Sequence, residues 1–104
     1  MHTVVETSEY LTAASKAGMT DVERWAAIDA IAANPEAGDI MPGTGGCRKV
    51  RVAKAGGGKR GGYRVITYYT VPNQPVFLLT VIAKNQRANL TERQKIELKK
   101  GKGR

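Results

Sequence analysis

The sequence predicts an α+β protein in which two N-terminal helices pack on one face of an antiparallel sheet, in the order β-α-α-β-β-β-α. Apolar residues recur at helical spacing before residue 34, whereas from Cys47 onward they alternate with charged residues as they do in strands. Turns rich in glycine and proline separate the alternating stretches. Helices followed by a run of strands are typical of the α+β class. The 104 residues predict one compact domain over residues 1–100 and a disordered basic tail over residues 101–104.

The first half is predicted to form an edge strand and two helices. Residues 3–6 are β-rich, and Ser8 is placed to cap a helix that ends at Gly18. Thr20 and Glu23 have the spacing of a capping box, in which each side chain accepts a hydrogen bond from the other residue's backbone N–H. We therefore expect a second helix to begin after Thr20.

The second helix carries an apolar row at helical spacing and stops before Asn34-Pro35, because proline disfavours the helical conformation of the residue that precedes it. Trp25 is the largest side chain of this row, so we expect it to anchor the core. The predicted row is Val22, Trp25, Ile28, Ile31 and Ala32.

The second half is predicted to form a three-stranded meander and a last helix. Residues 35–46 form a loop, after which Val50 and Val52 alternate with Lys49 and Arg51 on opposite faces of a strand. The remaining elements are a hairpin loop over 55–62, strands over 63–71 and 76–84 with a turn at 72–75, and a helix that opens at the capping box of residues 91–94 and runs towards residue 100. The strand over 76–84 is the most apolar and is expected to be central.

Charge divides the chain into two halves. Residues 1–47 hold two Lys/Arg and seven Asp/Glu, a net charge of −5, whereas residues 48–104 hold fifteen Lys/Arg and two Asp/Glu, a net charge of +13. The two sum to the +8 of the whole chain. Basic character concentrated in one half predicts a partner rich in phosphate groups.

Several classes of function are excluded by what the chain lacks. His2 is the only histidine and Cys47 the only cysteine, so histidine-dependent triads and dyads and a zinc site are implausible, and Cys47 is expected to be a buried strand residue. The run Gly56-Gly57-Gly58-Lys59 departs from a phosphate-binding P-loop because Arg60 follows the lysine. We expect no metal and no cofactor.

Neither a signal peptide nor a membrane span is predicted. The N-terminus lacks a basic segment followed by an apolar one, and the longest apolar run, residues 76–83, is too short to cross a bilayer. A cytoplasmic protein that does not associate with membranes is expected.

The cations of the second half are the candidate site. Consecutive strands of a meander are neighbours, so their basic residues can converge on one face, where they would bind phosphate oxygens. Tyr63, Tyr68 and Tyr69 could stack on unpaired bases, which is how single-stranded RNA is usually held. The predicted RNA-binding residues are Arg51, Lys54, Lys59, Arg60, Tyr63 and Arg87, beside the predicted catalytic residues Lys49, Arg64 and Lys84.

Arg64 and Lys84 stand out because each adjoins strongly apolar sequence, where a charge is costly unless it has a task or a partner. Cleavage of RNA by its own 2′-hydroxyl needs a base, a charge that stabilises the phosphorane, and an acid. A lysine among other cations can supply the base or the acid, and an arginine suits the transition-state oxygens.

The runs GKRGGYRVITYY (residues 58–69) and VFLLTVIAKNQRANLTERQKIELKK (residues 76–100) resemble the RelE/HigB family of toxins from type II toxin–antitoxin modules, most closely its HigB-like branch. This resemblance implies the fold given above and an mRNA endonuclease that acts on translating ribosomes. It also implies that Lys49 and Arg51 are paired basic residues, that Arg64 stabilises phosphate and that Lys84 is a further catalytic cation.

The resemblance implies partners as well, and it leaves one role open. The partners are the ribosome with bound mRNA and a cognate antitoxin, commonly a small helix-turn-helix protein of the HigA type, through which alone operator DNA would be contacted. Family members carry an arginine and a C-terminal tyrosine where this chain has Asn85 and Thr91, and no tyrosine follows Tyr69. The general acid is therefore unassigned.

Two other functions remain open at this point. A toxin of similar fold could poison DNA gyrase, as ParE-type relatives do, although a protein target does not require converging cations. The chain could also be a non-catalytic module that binds RNA or the ribosome, in which case Arg64→Ala would weaken binding and abolish no chemistry.

Overall fold

The structure, a computed structural model, describes residues 2–53 and 62–83 and confirms the α+β class. Within these ranges two helices accompany one five-stranded sheet, whose strand order is β1-β5-β4-β3-β2. The last helix, the hairpin loop and the basic tail that the sequence predicts lie outside the described residues. The elements are β1 (Val4–Glu6), α1 (Ser8–Lys16), α2 (Asp21–Ala33), β2 (Asp39–Ile40), β3 (Cys47–Val52), β4 (Tyr63–Tyr68) and β5 (Val76–Ala83).

The sheet is mixed rather than wholly antiparallel. Strands β3 to β5 form the predicted antiparallel meander, which β2 extends, but β1 pairs with β5 in the parallel direction, from Val4 opposite Val76 to Glu6 opposite Leu78. Parallel neighbours need a long crossover, and in this chain α1 and α2 follow β1 before the meander begins. The short strand β2 arises within the predicted loop over 35–46. As a result β4, not β5, is the middle strand.

Both helices begin at threonine caps. For α1 the cap is Thr7 rather than Ser8, because Tyr10 N donates to Thr7 Oγ1 at 3.1 Å. For α2 the predicted capping box is confirmed: Thr20 N donates to Glu23 Oε1 at 2.8 Å, and Glu23 N donates to Thr20 Oγ1 at 3.1 Å. In the described ranges, neither helix is long and apolar enough to cross a membrane.

Apolar side chains are buried on both faces of the sheet. The larger cluster lies between the sheet and the helices, which contribute Tyr10, Ala14, Ala27 and Ile31 to it. We call the side of the sheet opposite α1 and α2 the open face. A smaller cluster there consists of Met41, Cys47 and Ile66, with Tyr68, Leu79 and Ile82 packed against it. The expectation that Cys47 is a buried strand residue is confirmed.

The expectation that Trp25 anchors the core is wrong, since 58% of this residue is exposed. The buried side of α2 is formed by Glu23, Ala27 and Ile31, which follow one another at four-residue spacing. Trp25 lies two residues after Glu23, about 200° round the helix, and therefore points outwards. The carboxylate of Glu23 occupies the buried position on this side of α2 because it accepts hydrogen bonds there.

Candidate functional site

Strands β3 and β4 place their alternate residues in three facing pairs on the open face. The pairing runs without a shift from Cys47 opposite Tyr68 to Val52 opposite Tyr63. Residues that face each other across a pair of strands point to the same side of the sheet, and every second residue shares that side. The three pairs on the open face are Cys47–Tyr68, Lys49–Ile66 and Arg51–Arg64.

Arg51 and Arg64 form the cationic end of this array. Arg51 is exposed, whereas Arg64 is half-buried on the middle strand and has Ile82 of β5 on its other side. Like charges directly opposite each other on neighbouring strands destabilise a sheet. Two arginines at facing positions beside an apolar residue suit the binding of an anionic ligand.

Lys49 extends the cationic end towards the edge strand. It is half-buried, and its neighbours in register are Ile66 on β4 and Asp39 on β2. The structure thus brings three predicted site residues onto one face, with Lys49 and Arg51 separated by two positions along β3. Two positions along a strand correspond to ~7 Å.

The start of β4 is held from both sides. A Cβ on Gly62 would stand 2.7 Å from the carbonyl oxygen of Val52, so the close approach of β4 to the end of β3 at this point requires glycine. On the helix side, the Tyr63 hydroxyl donates to Glu23 Oε1 at 3.2 Å and lies 3.4 Å from the carbonyl oxygen of Gly18. These contacts fix the residue immediately before Arg64.

The expectation that Tyr63 stacks on RNA is therefore wrong. Tyr63 is 3% exposed and belongs to the helix-side cluster together with Val65. Desolvation by burial, followed by the hydrogen bond to Glu23, raises the pKa of its hydroxyl. As an odd-numbered residue of β4 it faces away from Arg64, and this could be deduced from strand alternation alone.

Five predicted site residues lie outside the described residues: Lys54, Lys59, Arg60, Lys84 and Arg87. Their roles stay predictions. Within residues 2–53 and 62–83, no group of three or more His, Cys, Asp or Glu side chains is arranged to hold a metal ion.

Two aromatic residues lie at the other end of the open face: Tyr68, one of the tyrosines that the sequence suggested for base stacking, and Phe77, which was missed. Tyr68 is half-buried and faces Cys47 on β3, and on its other side it faces Phe77 of β5, which is also half-buried. That Tyr68 shares a face with Arg64 could be deduced from the sequence, because Tyr68 follows Arg64 by four positions and every second residue of a strand lies on the same face.

Taken together, the open face combines a cationic end, an apolar floor and an aromatic end. Cations of this kind bind phosphate oxygens, and aromatic rings bind the faces of unpaired bases. The described part of the face offers Lys49 as a proton acceptor or donor and two arginines as fixed charges.

Comparison with known protein families assigns the chain to a family. The family described as the RelE toxin of the RelE/RelB toxin–antitoxin system matches residues 3–103 of the chain. The match covers both the helical half and the basic half, including the strands that carry Lys49, Arg51 and Arg64. The chain therefore belongs to the RelE toxin family, and its partner is an antitoxin.

Proposed function

We propose that this toxin is a ribosome-dependent mRNA endonuclease that inhibits translation in the cytoplasm. The observation that carries the proposal is the facing pair Arg51–Arg64 with Lys49 beside it, on the face of the sheet opposite α1 and α2. Family membership supports the same activity, since toxins of this family are generally endoribonucleases.

The proposed reaction is attack of the RNA 2′-hydroxyl on the adjacent phosphorus. A bond forms between the 2′-oxygen and phosphorus, the bond from phosphorus to the 5′-oxygen breaks, and the products are a 2′,3′-cyclic phosphate and a free 5′-hydroxyl. Lys49, in its neutral form, takes the 2′-hydroxyl proton, and Arg64 and Arg51 donate hydrogen bonds to the two non-bridging oxygens. Lys84 is the proposed donor of the proton to the leaving 5′-oxygen.

The half-buried position of Arg64 suits a residue that stabilises the charge of the transition state. Arg64 lies on the middle strand, between Arg51 and Ile82 in register, and is half-buried. Electrostatic stabilisation of a developing charge is stronger where water is excluded. Removal of Arg64 should therefore affect the transition state more than it affects the binding of RNA.

The proposed partners are the ribosome with bound mRNA and a helix-turn-helix antitoxin of the HigA type. The ribosome would present message as an unpaired strand, which the open face requires if bases are to stack on it. Contact with operator DNA would be made by the antitoxin alone.

The test is a cleavage assay on a defined message, with and without programmed ribosomes, in which new 5′-hydroxyl ends are mapped. We expect cuts at ribosome-occupied codons that are absent on naked RNA. Arg64→Ala and Lys84→Ala should each reduce cleavage ~100-fold or more, the effect of losing a transition-state donor. Lys16→Ala is the control, because Lys16 is exposed on α1. An intact message under both conditions would overturn the proposal, and full activity of Arg64→Ala would overturn the site.

A further inference from the structure

We propose that Tyr68 and Phe77, the aromatic row of the open face, form a platform on which bases of the bound RNA strand stack. The proposal rests on the proposed function in one respect, namely that a single strand of RNA lies along this face. It adds where the bases are held and which side chains hold them.

Tyr68 lies at a distance from Arg64 that suits a base next to a bound phosphate. Tyr68 lies four residues after Arg64 on the same strand and on the same face, with Ile66 between them. Four residues of a strand span ~13 Å. A strand of nucleic acid with the ~3.4 Å rise of stacked bases places about four nucleotides in that distance, and an unstacked strand places fewer. A base near the cleaved phosphate can therefore lie on Tyr68 while Arg64 contacts that phosphate.

The ring of Tyr68 is held in place by packing. The Tyr68 side chain packs against the buried cluster of Met41, Cys47 and Ile66 and yet remains partly exposed. Beside the ring is Gly46, where even an added Cβ would come no closer than 3.9 Å to Tyr68 Cε1. A ring that is fixed by packing before the ligand arrives loses little conformational freedom on binding, which favours its use as a stacking surface.

The tyrosines of this region lie on different faces of the sheet. Tyr63 is buried among the helix-side residues, and Tyr69 packs against the same cluster. Tyr69 also makes an edge contact with His2, the two ring centroids being 4.8 Å apart. Among the tyrosines of β4 and the residue that follows it, Tyr68 alone lies on the face that carries Arg64.

Phe77 doubles the width of the platform. It is the register partner of Tyr68 on β5 and is itself half-buried, and on its far side it faces Val5 of β1. Facing residues on neighbouring strands have Cβ atoms ~5 Å apart, so the two side chains border one continuous surface. The ligand class is thus single-stranded RNA with accessible bases, bound with little preference for base identity.

The test is binding of a short single-stranded oligoribonucleotide to the free toxin at several salt concentrations. We expect Tyr68→Leu to weaken binding about tenfold, in the range measured for loss of one stacked base. The dependence of affinity on salt should be unchanged, because no phosphate contact is removed. Tyr68→Phe should restore parental affinity, and Tyr69→Leu, on the other side of the sheet, should bind as the parent does.

A second measurement does not depend on the Tyr68→Leu variant folding. In the parent protein, 2-aminopurine placed at successive positions of the oligonucleotide should change its fluorescence on binding at one or two positions only.

An oligonucleotide of abasic residues is the control for the variant, and it should bind parent and Tyr68→Leu with equal affinity. Parental affinity of Tyr68→Leu for the normal oligonucleotide, or no 2-aminopurine response in the parent, would overturn this inference alone. A parent that neither binds nor cleaves RNA would overturn the proposed function and this inference with it.

Discussion

The hydroxyl of Tyr63, on the strand that carries the candidate site, lies 3.2 Å from Oε1 of Glu23 at the start of α2. The same carboxylate oxygen accepts the backbone N–H of Thr20 at 2.8 Å. The residue that closes the capping box therefore also fixes the residue before Arg64. Both Tyr63 and Glu23 are buried, with 3% of each exposed.

Replacing Tyr63 by phenylalanine should lower the free energy of unfolding. The substitution keeps the buried ring but removes a donor from a buried carboxylate, and hydrogen bonds to charged groups contribute ~1.5–3 kcal/mol. We expect a loss of about 1.5 kcal/mol at neutral pH, measured by urea unfolding. Tyr69→Phe is the matched control, since it preserves the ring contact with His2. Equal stability of Tyr63→Phe and the parent would show that the hydroxyl contributes nothing.

Stability should also fall at alkaline pH because of Tyr10. Its burial, and secondly the nearby charge of Glu6, raise the pKa of its hydroxyl from 10.0 to about 12. The unfolded chain releases this proton near pH 10 while the folded chain retains it, so the stabilising contribution is complete below pH 10 and is lost as pH rises towards 12. A difference of this size corresponds to roughly 2–3 kcal/mol.

Urea unfolding of parent and Tyr10→Phe between pH 8 and pH 12 checks this expectation. The variant lacks the hydroxyl and should lose less stability over the upper part of this range than the parent. Parallel pH profiles for the two proteins would contradict the assignment to Tyr10. Tyrosinate absorbance of the folded parent gives an independent reading of the same titration.

Local patterns were sufficient to predict the strands that carry the site. Val50 and Val52 are buried while Lys49 is half-buried and Arg51 exposed, as alternation along a single strand requires. Each of these assignments depends only on the sequence neighbours of the residue. For the same reason the capping box at Thr20 and the edge position of β1 were predicted correctly.

What could not be predicted depends on contacts between distant parts of the chain. The parallel pairing of β1 with β5 joins residues about seventy positions apart, such as Val4 and Val76. Trp25 was placed in the core because it is large and apolar, but Glu23 occupies that side of α2. A buried glutamate is favourable there because it accepts hydrogen bonds, among them one from Thr20 N and one from the hydroxyl of Tyr63, forty residues later.

Two glycines with positive φ should differ in their tolerance of alanine. Gly18 has a φ of 78° and nothing within 4 Å of an added Cβ, so Gly18→Ala should cost only the ~1–2 kcal/mol of the left-handed conformation. Gly38 has a φ of 88°, and its Cβ would overlap the backbone carbonyl of Lys49. Because that carbonyl belongs to β3, it cannot move without disturbing the sheet.

Gly38→Ala should therefore cost roughly 3–4 kcal/mol, clearly more than its matched control Gly18→Ala. It should also weaken RNA binding, because the added Cβ would displace the backbone of β3 at Lys49, a residue of the candidate site. Urea unfolding and oligonucleotide binding measure the two effects. Equal unfolding free energies for the two variants would mean that the loop before β2 yields without strain.

Two substitutions distinguish a phosphate contact made by Arg51 from attraction of RNA by the net positive charge of the protein. Arg51→Gln and Lys16→Gln each remove one cation from an exposed residue, but Arg51 faces Arg64 on the open face whereas Lys16 lies in the last turn of α1. If Arg51 contacts a phosphate, its loss reduces the slope of log affinity against log salt by ~0.7 for a single strand. Lys16→Gln should leave this slope unchanged, since it lies on the helical side of the sheet. Equal slopes for the two variants would mean that RNA is attracted by net charge alone, and the facing arginines would then have no specific role in holding it.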